Sequence, residues 1–155
     1  MRVELLLTAV VGVGALSIDM FLPSLPAIGA AFAAPPATVQ LTVTLFLIAF
    51  AVAQLVYGPL SDRYGRRGVL IGGLALYTAA GVACALAPGV GMLVGARVLQ
   101  ALGGGSGPVV ARAVVRDLYD RECAARVFAY MSMAQSLNPM LAPVVGGYVH
   151  EAFGW

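Results

Sequence analysis

The sequence predicts an all-α membrane protein with five membrane-crossing helices, and three observations carry that reading. Hydrophobic residues make up 61% of its 155 residues and charged residues 10%, with a mean hydropathy of +0.92. That leaves too little polar surface to cover a water-soluble globule of this size. Charge-free runs cover 5–18, 20–61, 68–96, 98–111 and 127–149, and a helix needs about 20 apolar residues to cross a bilayer. The nine basic residues are all arginine, and seven gather in two connections: Arg63, Arg66 and Arg67 in one, and Arg112, Arg116, Arg121 and Arg126 around the other.

Taken in order, the first helix is expected over 2–25, and the turn formers Pro35 and Pro36 separate it from a second over 38–57. A third follows over 68–86. Pro88 and Gly89 mark a turn before a fourth over 91–115, and a fifth covers 124–149. The opening Met1-Arg2 and apolar run mimic a secretory signal, but the run is longer than a signal core and further spans follow it. Segments 29–37 and 87–91 carry no arginine, so the Arg-bearing connections are expected in the cytoplasm, with the N-terminus inside and residues 150–155 outside. Tyr148, Phe153 and Trp155 then suit an interfacial aromatic belt, and His150 is expected to be solvated there.

Several function classes drop out. A net charge of +2 with arginines clustered at helix ends implies no polyanion, so no nucleic-acid partner is expected. There is no metal-ligand spacing, no nucleophile beside a base, and no phosphate-cradling Gly-x-x-x-x-Gly-Lys. The expectation is therefore a protein that is not an enzyme, with no metal and no cofactor. Cys84 and Cys123 are expected near opposite membrane faces, too far apart for a disulfide.

Asp19 is the one carboxylate deep in an expected span and Arg97 the one cation equally deep. At 1.5 Å per residue, Asp19 lies roughly 22 Å along the first helix and Arg97 roughly 8 Å into the fourth from the other side, which brings them to one level. Pairing, direct or across a shared hollow, is expected, either as a static ion pair or as a functional site. Gln100, three residues after Arg97, shares its face. Gly68/Gly72, Gly91/Gly95 and Gly103/Gly107 read as small-residue packing pairs. Gln54, Ser132, Gln135 and Ser136 receive no site role.

Gly58, Leu60, Ser61, Asp62, Arg63, Gly65, Arg66 and Arg67 spell Gly-x-Leu-Ser-Asp-Arg-x-Gly-Arg-Arg between two apolar runs. This stretch resembles the signature loop between helices 2 and 3 of the major facilitator superfamily of transporters. Asp19-Met20 with Pro23 is similar to the first-helix motif of that family's proton-coupled drug exporters. Arg97, Gln100, Gly103, Gly104 and Gly105 resemble its Arg-x-x-Gln-Gly-x-Gly, with Ala101 replacing a glycine. Asn138, Ala142, Pro143, Gly146 and Gly147 partly match the fifth-helix antiporter motif, with Asn138 and Ala142 where glycines are usual. The runs 18–26 and 110–118 resemble the bicyclomycin and chloramphenicol type of exporter.

The resemblance implies a fold of two six-helix halves, of which 1–155 would be an incomplete N-terminal half without a soluble domain, ending in Phe153-Gly154-Trp155 like the lead-in to helix 6. It implies a bacterial inner-membrane antiporter that exports drug-like small molecules by alternating access. The proton-motive force drives it, and its partners are the bilayer, protons, a small-molecule substrate and a missing C-terminal half. Asp19, Arg97 and Gln100 would line the proton and substrate pathway. Asp62 would face the second half, and Arg63, Arg66 and Arg67 would latch onto acids near helix 4, Asp117 being the candidate, with Gly58 and Gly65 allowing close approach and a tight turn. Pro143, Gly146 and Gly147 would form the antiporter-like element. The alternatives are metabolite symport within the same family, or a truncated product without transport of its own.

Overall fold

The computed structural model describes residues 2–154, which form seven α-helices and one short 3₁₀ turn. They are α1 (Arg2–Asp19), the 3₁₀ turn (Leu22–Ser24), α2 (Leu25–Ala31), α3 (Pro36–Tyr64), α4 (Arg66–Ala85), α5 (Val90–Gly104), α6 (Ser106–Leu118) and α7 (Arg121–Phe153). Four stretches are long and apolar enough to cross a membrane: Val3–Ala31, Pro36–Tyr64, Arg66–Ala85 and Val90–Leu118. α7, 33 residues long, has the length but a more polar composition, because Gln135, Asn138, Ser132 and Ser136 interrupt its apolar sequence.

Prolines explain where the first and fourth stretches break. Pro23 and Pro26 carry no N–H, so the carbonyls of Asp19 and Leu22 lack the donors that a continuous helix would supply. The chain tightens there: the Phe21 N–H bonds Ile18 O at 3.1 Å and the Ser24 N–H bonds Phe21 O at 3.1 Å. The single helix expected over 2–25 is thus two helices with a bend, the second reaching Ala31. Pro108 likewise deprives Gly104 of its donor and divides α5 from α6 at Gly105, although Gly105 N–H still reaches Ala101 O at 3.0 Å, so the two run on almost without a break.

The signature stretch is not a loop. α3 continues through Gly58 and Pro59 to Tyr64, 29 residues or about 44 Å, longer than the roughly 30 Å hydrocarbon core. Gly65 alone connects it to α4, at φ 89° and ψ 141°, a conformation that a Cβ makes costly.

Two apolar cores sit at opposite ends of the bundle. Leu7, Val11, Ala111, Val115, Ala124, Val127 and Met131 join α1, α6 and α7 at the arginine-rich end, while Ile28, Val39, Ala87 and Leu93 close the other. Between them glycines bring backbones together. A Cβ on Gly103 would lie 2.5 Å from Tyr77 N and 2.6 Å from Gly73 O, and one on Gly107 would lie 2.6 Å from Val10 O. Of the three expected glycine pairs only Gly103/Gly107 packs; Gly68, Gly72, Gly91 and Gly95 face open space. Cys84 and Cys123 are free thiols. Tyr148 is exposed, while the Phe153 side chain and Trp155 lie outside the described residues. His150 is partly exposed, with its Nδ1 shielded and without a hydrogen-bond partner among the described residues.

Candidate functional site

Arg97 lies in the layer between the two cores, 4% exposed. Its guanidinium carbon is 3.9 Å from the Phe21 ring centroid and 4.7 Å from that of Phe46, an aromatic clamp contributed by the bend after α1 and by α3. Each such contact is worth on the order of 2 kcal/mol in a desolvated site. In the guanidinium plane, Nη1 donates to Gln100 Oε1 at 2.8 Å and Nη2 donates to Ser17 O at 3.1 Å, while Nε is buried without a partner.

The broken end of α1 creates the Ser17 contact. In a continuous helix Ser17 O would accept from the Phe21 N–H, but that donor goes to Ile18 O, leaving the Ser17 carbonyl for Arg97. Next to it the Ser17 hydroxyl bonds the Tyr77 hydroxyl, which also donates to Val13 O at 3.5 Å. Ser17, Met20, Phe21, Ser24, Ile28, Gln100 and Arg97 line a hollow of about 270 Å³.

Asp19 does not pair with Arg97. Its side chain is half-buried, has no hydrogen bond or ion pair among the described residues, and is not part of the hollow's lining. It terminates α1 four residues after Ala15, which places the two on one helix face. Ala15, Val11 and Ile18 line a second hollow of about 210 Å³ with Leu47, Phe50, Gln54, Pro108, Arg112 and Gln135. The level expected for Asp19 and Arg97 is thus occupied by a buried cation held by dipoles and rings, with the acid turned elsewhere.

At the arginine-rich end Arg66 is the organising residue. Its Nε donates to Asp117 Oδ2 at 3.0 Å, and its Nη1 lies 2.5 Å from Asp62 Oδ1 and donates to Ser61 Oγ at 2.6 Å. The Ser61 hydroxyl donates in turn to Gly58 O at 2.9 Å and is 1% exposed. One guanidinium thereby ties the last turn of α3 and the start of α4 to the end of α6. Of the three arginines expected near Asp117, Arg66 alone contacts it: Arg63 lies over the Tyr64 ring at 5.5 Å and Arg67 borders an apolar groove of Val3, Leu6, Leu7, Val10, Leu70 and Val114. Asp62, expected to look outward, spends one oxygen on Arg66 and is otherwise exposed. Gly65 makes the tight turn; a Cβ added at Gly58 would meet nothing within 4 Å, so this glycine makes no close approach inside the chain.

On α7, Gly146 meets the Met20 carbonyl so closely that a Cβ has no room, Pro143 is half-buried, and Gly147 faces open space. Asn138, where the motif has glycine, donates from Nδ2 to Gly12 O at 3.2 Å. The departure from the motif is therefore a polar tie between α7 and α1. Sequence reasoning gives Ser17, Ser61 and Tyr77 no site role of their own, and the open Ser17 carbonyl that meets Arg97 is a backbone group with no residue signature.

Residues 7–155 match the Major Facilitator Superfamily. The chain is 38% identical over 136 residues to an uncharacterized MFS-type transporter, YdgK, of Bacillus subtilis, covering 88% of the chain and 34% of that protein. It is 37% identical over 141 residues to a chloramphenicol resistance protein of Pseudomonas aeruginosa, covering 90% of the chain and 34% of the relative. With multidrug resistance protein D of Escherichia coli it shares 30% identity over 151 residues, 97% of the chain and 38% of the relative. The chain spans about a third of the length of these curated relatives. With four apolar stretches of membrane-crossing length and a family match from residue 7 to residue 155, the chain belongs to the Major Facilitator Superfamily.

Proposed function

We propose that this chain is the N-terminal part of a proton-coupled exporter of drug-like small molecules in a bacterial inner membrane. In this reading it is a transporter rather than an enzyme, needs no cofactor, and works by alternating access against a second half. α7, which carries Pro139 and Pro143 in its interior, is the fifth span, and the arginine-rich end faces the cytoplasm. The observation that carries the reading is the 37% identity over 141 residues to a protein named for chloramphenicol resistance.

Two features support a mechanism. Asp19 is a carboxylate without a cationic partner among the described residues at the end of a membrane helix, free to change protonation state without first breaking an ion pair. The Arg66 clasp is a small latch joining the α3/α4 connection to α6, which continues α5 and so Arg97. Closing and opening that latch is the cytoplasmic gate. One proton moving down a 100 mV potential releases about 2.3 kcal/mol, enough for roughly a fiftyfold gradient of exported solute. Cells making the complete transporter that contains this segment should tolerate more chloramphenicol than controls, and a protonophore should remove the advantage. Equal tolerance with and without the transporter would rule out export of that drug.

A further inference from the structure

We propose that the hollow beside Arg97 binds a small carboxylate, benzoate in size. The inference deepens the transport reading and rests on it for its biological sense, while the site itself rests on geometry.

A guanidinium has five N–H donors and a permanent charge. Arg97 is 4% exposed, yet its partners are the neutral Gln100 amide and Ser17 carbonyl, no acid among the described residues pairs with it, and Nε has no partner. Neutral dipoles and ring faces reduce the cost of burying a cation without cancelling its charge. Phe21 and Phe46 flank the guanidinium at 3.9 and 4.7 Å, so a further partner has to arrive in its plane. Planar carboxylates fit that approach, and the pairing is the strongest this group makes.

The lining extends the same chemistry. Ser24 is 8% exposed, and its hydroxyl has no hydrogen-bond partner among the described residues. With Gln100 and Ser17 it gives the hollow polar contacts near the cation, and Met20, Phe21 and Ile28 give it apolar wall. Its volume of about 270 Å³ is equivalent to roughly nine liquid waters at about 30 Å³ each. That is room for one ring and a carboxylate and is below the usual size of a drug pocket. Asp19 is absent from the lining, so no acid of the wall opposes an arriving anion.

The test is calorimetric titration and thermal unfolding of the purified chain in detergent with benzoate, and with benzyl alcohol and benzylammonium as neutral and cationic controls of the same ring. Saturable binding of benzoate alone is expected. Arg97→Gln should weaken it at least about tenfold, the loss of one charge-assisted contact, and Ser24→Ala should weaken it severalfold. Gln100→Glu, which supplies an internal counter-ion, should abolish it and serves should Arg97→Gln fail to fold. Absence of saturable benzoate binding, equal binding of benzyl alcohol, or benzoate affinity unchanged in Gln100→Glu would overturn the proposal. Asp19→Asn should bind benzoate as the parent chain does, so a defect in benzoate binding and a defect in proton-coupled export are separable, the first bearing on this site and the second on the transport reading.

Discussion

Arg66 reaches Asp117, 51 residues further along the chain, through an Nε to Oδ2 hydrogen bond of 3.0 Å, and holds Asp62 with the same guanidinium. The pair sits at the surface, with side chains 29% and 54% exposed. Geometry and strength therefore point in different directions: the clasp spans three helices, yet an exposed ion pair contributes only about 0.2–1 kcal/mol. The proposed gate, which would open in each cycle, is better served by a weak tie than by a strong one.

Asp117→Asn should accordingly leave unfolding almost unchanged while loosening the arginine-rich end. A loss near 1 kcal/mol corresponds to about a fivefold rise in the open population. Spin labels at the ends of α3 and α6 would register this as a broader, longer distance distribution. A distribution identical to the parent would assign the clasp no part in gating.

Glycine positions should differ sharply. Gly103→Ala puts a methyl 2.5 Å from Tyr77 N and 2.6 Å from Gly73 O, both backbone atoms that cannot swing aside, and should destabilise by about 1–3 kcal/mol. Gly72→Ala meets nothing within 4 Å and should be neutral or mildly stabilising through helix propensity. Thermal unfolding in one detergent compares the two; equal shifts would contradict the packing described here.

Asn138→Ala removes the bond to Gly12 O and should cost about 0.5–1.5 kcal/mol. The loss should appear in unfolding of the α1/α7 contact, read by amide exchange at residue 12 and its neighbours.

The start of α7 should respond to pH. Asp120 caps it by accepting from the Cys123 N–H at 3.0 Å, and that bond holds its carboxyl below the ordinary value of 3.8. Because the folded value is depressed, the contribution is present above pH 3.8 and disappears as pH falls through the lower folded value. Amide exchange at Cys123 should therefore accelerate, relative to its intrinsic rate, only below that point, and Asp120→Ala should show the faster exchange at all pH values. Acid-insensitive protection in the parent chain would remove the cap from the account.

The long apolar runs made the helices legible, because bilayer thickness and hydropathy act on whole segments. The breaks were less so. Pro23, Pro26 and Pro108 were visible, but hydropathy averages over single missing N–H groups, so 2–25 and 91–115 read as unbroken. Gly58 and Pro59 look like loop formers, yet α3 carries both through to Tyr64. Asp117 was named through the family resemblance, which implies an acid near the end of helix 4, and it contacts Arg66. The Arg97 partners were not found, because a backbone carbonyl left open at Ser17 carries no residue signature, and the pairing with Asp19 inferred from depth ignored which way each side chain turns on its helix. Glycine spacing could not separate Gly103 from Gly72; only the facing backbone does.

In the proposed mechanism Asp19 carries the proton. The most direct test is proton release on drug addition in proteoliposomes of the complete transporter containing this segment, compared with Asp19→Asn. Release by the parent and none by Asp19→Asn is the expected result, with both proteins inserted and folded alike. Undiminished release by Asp19→Asn would contradict it.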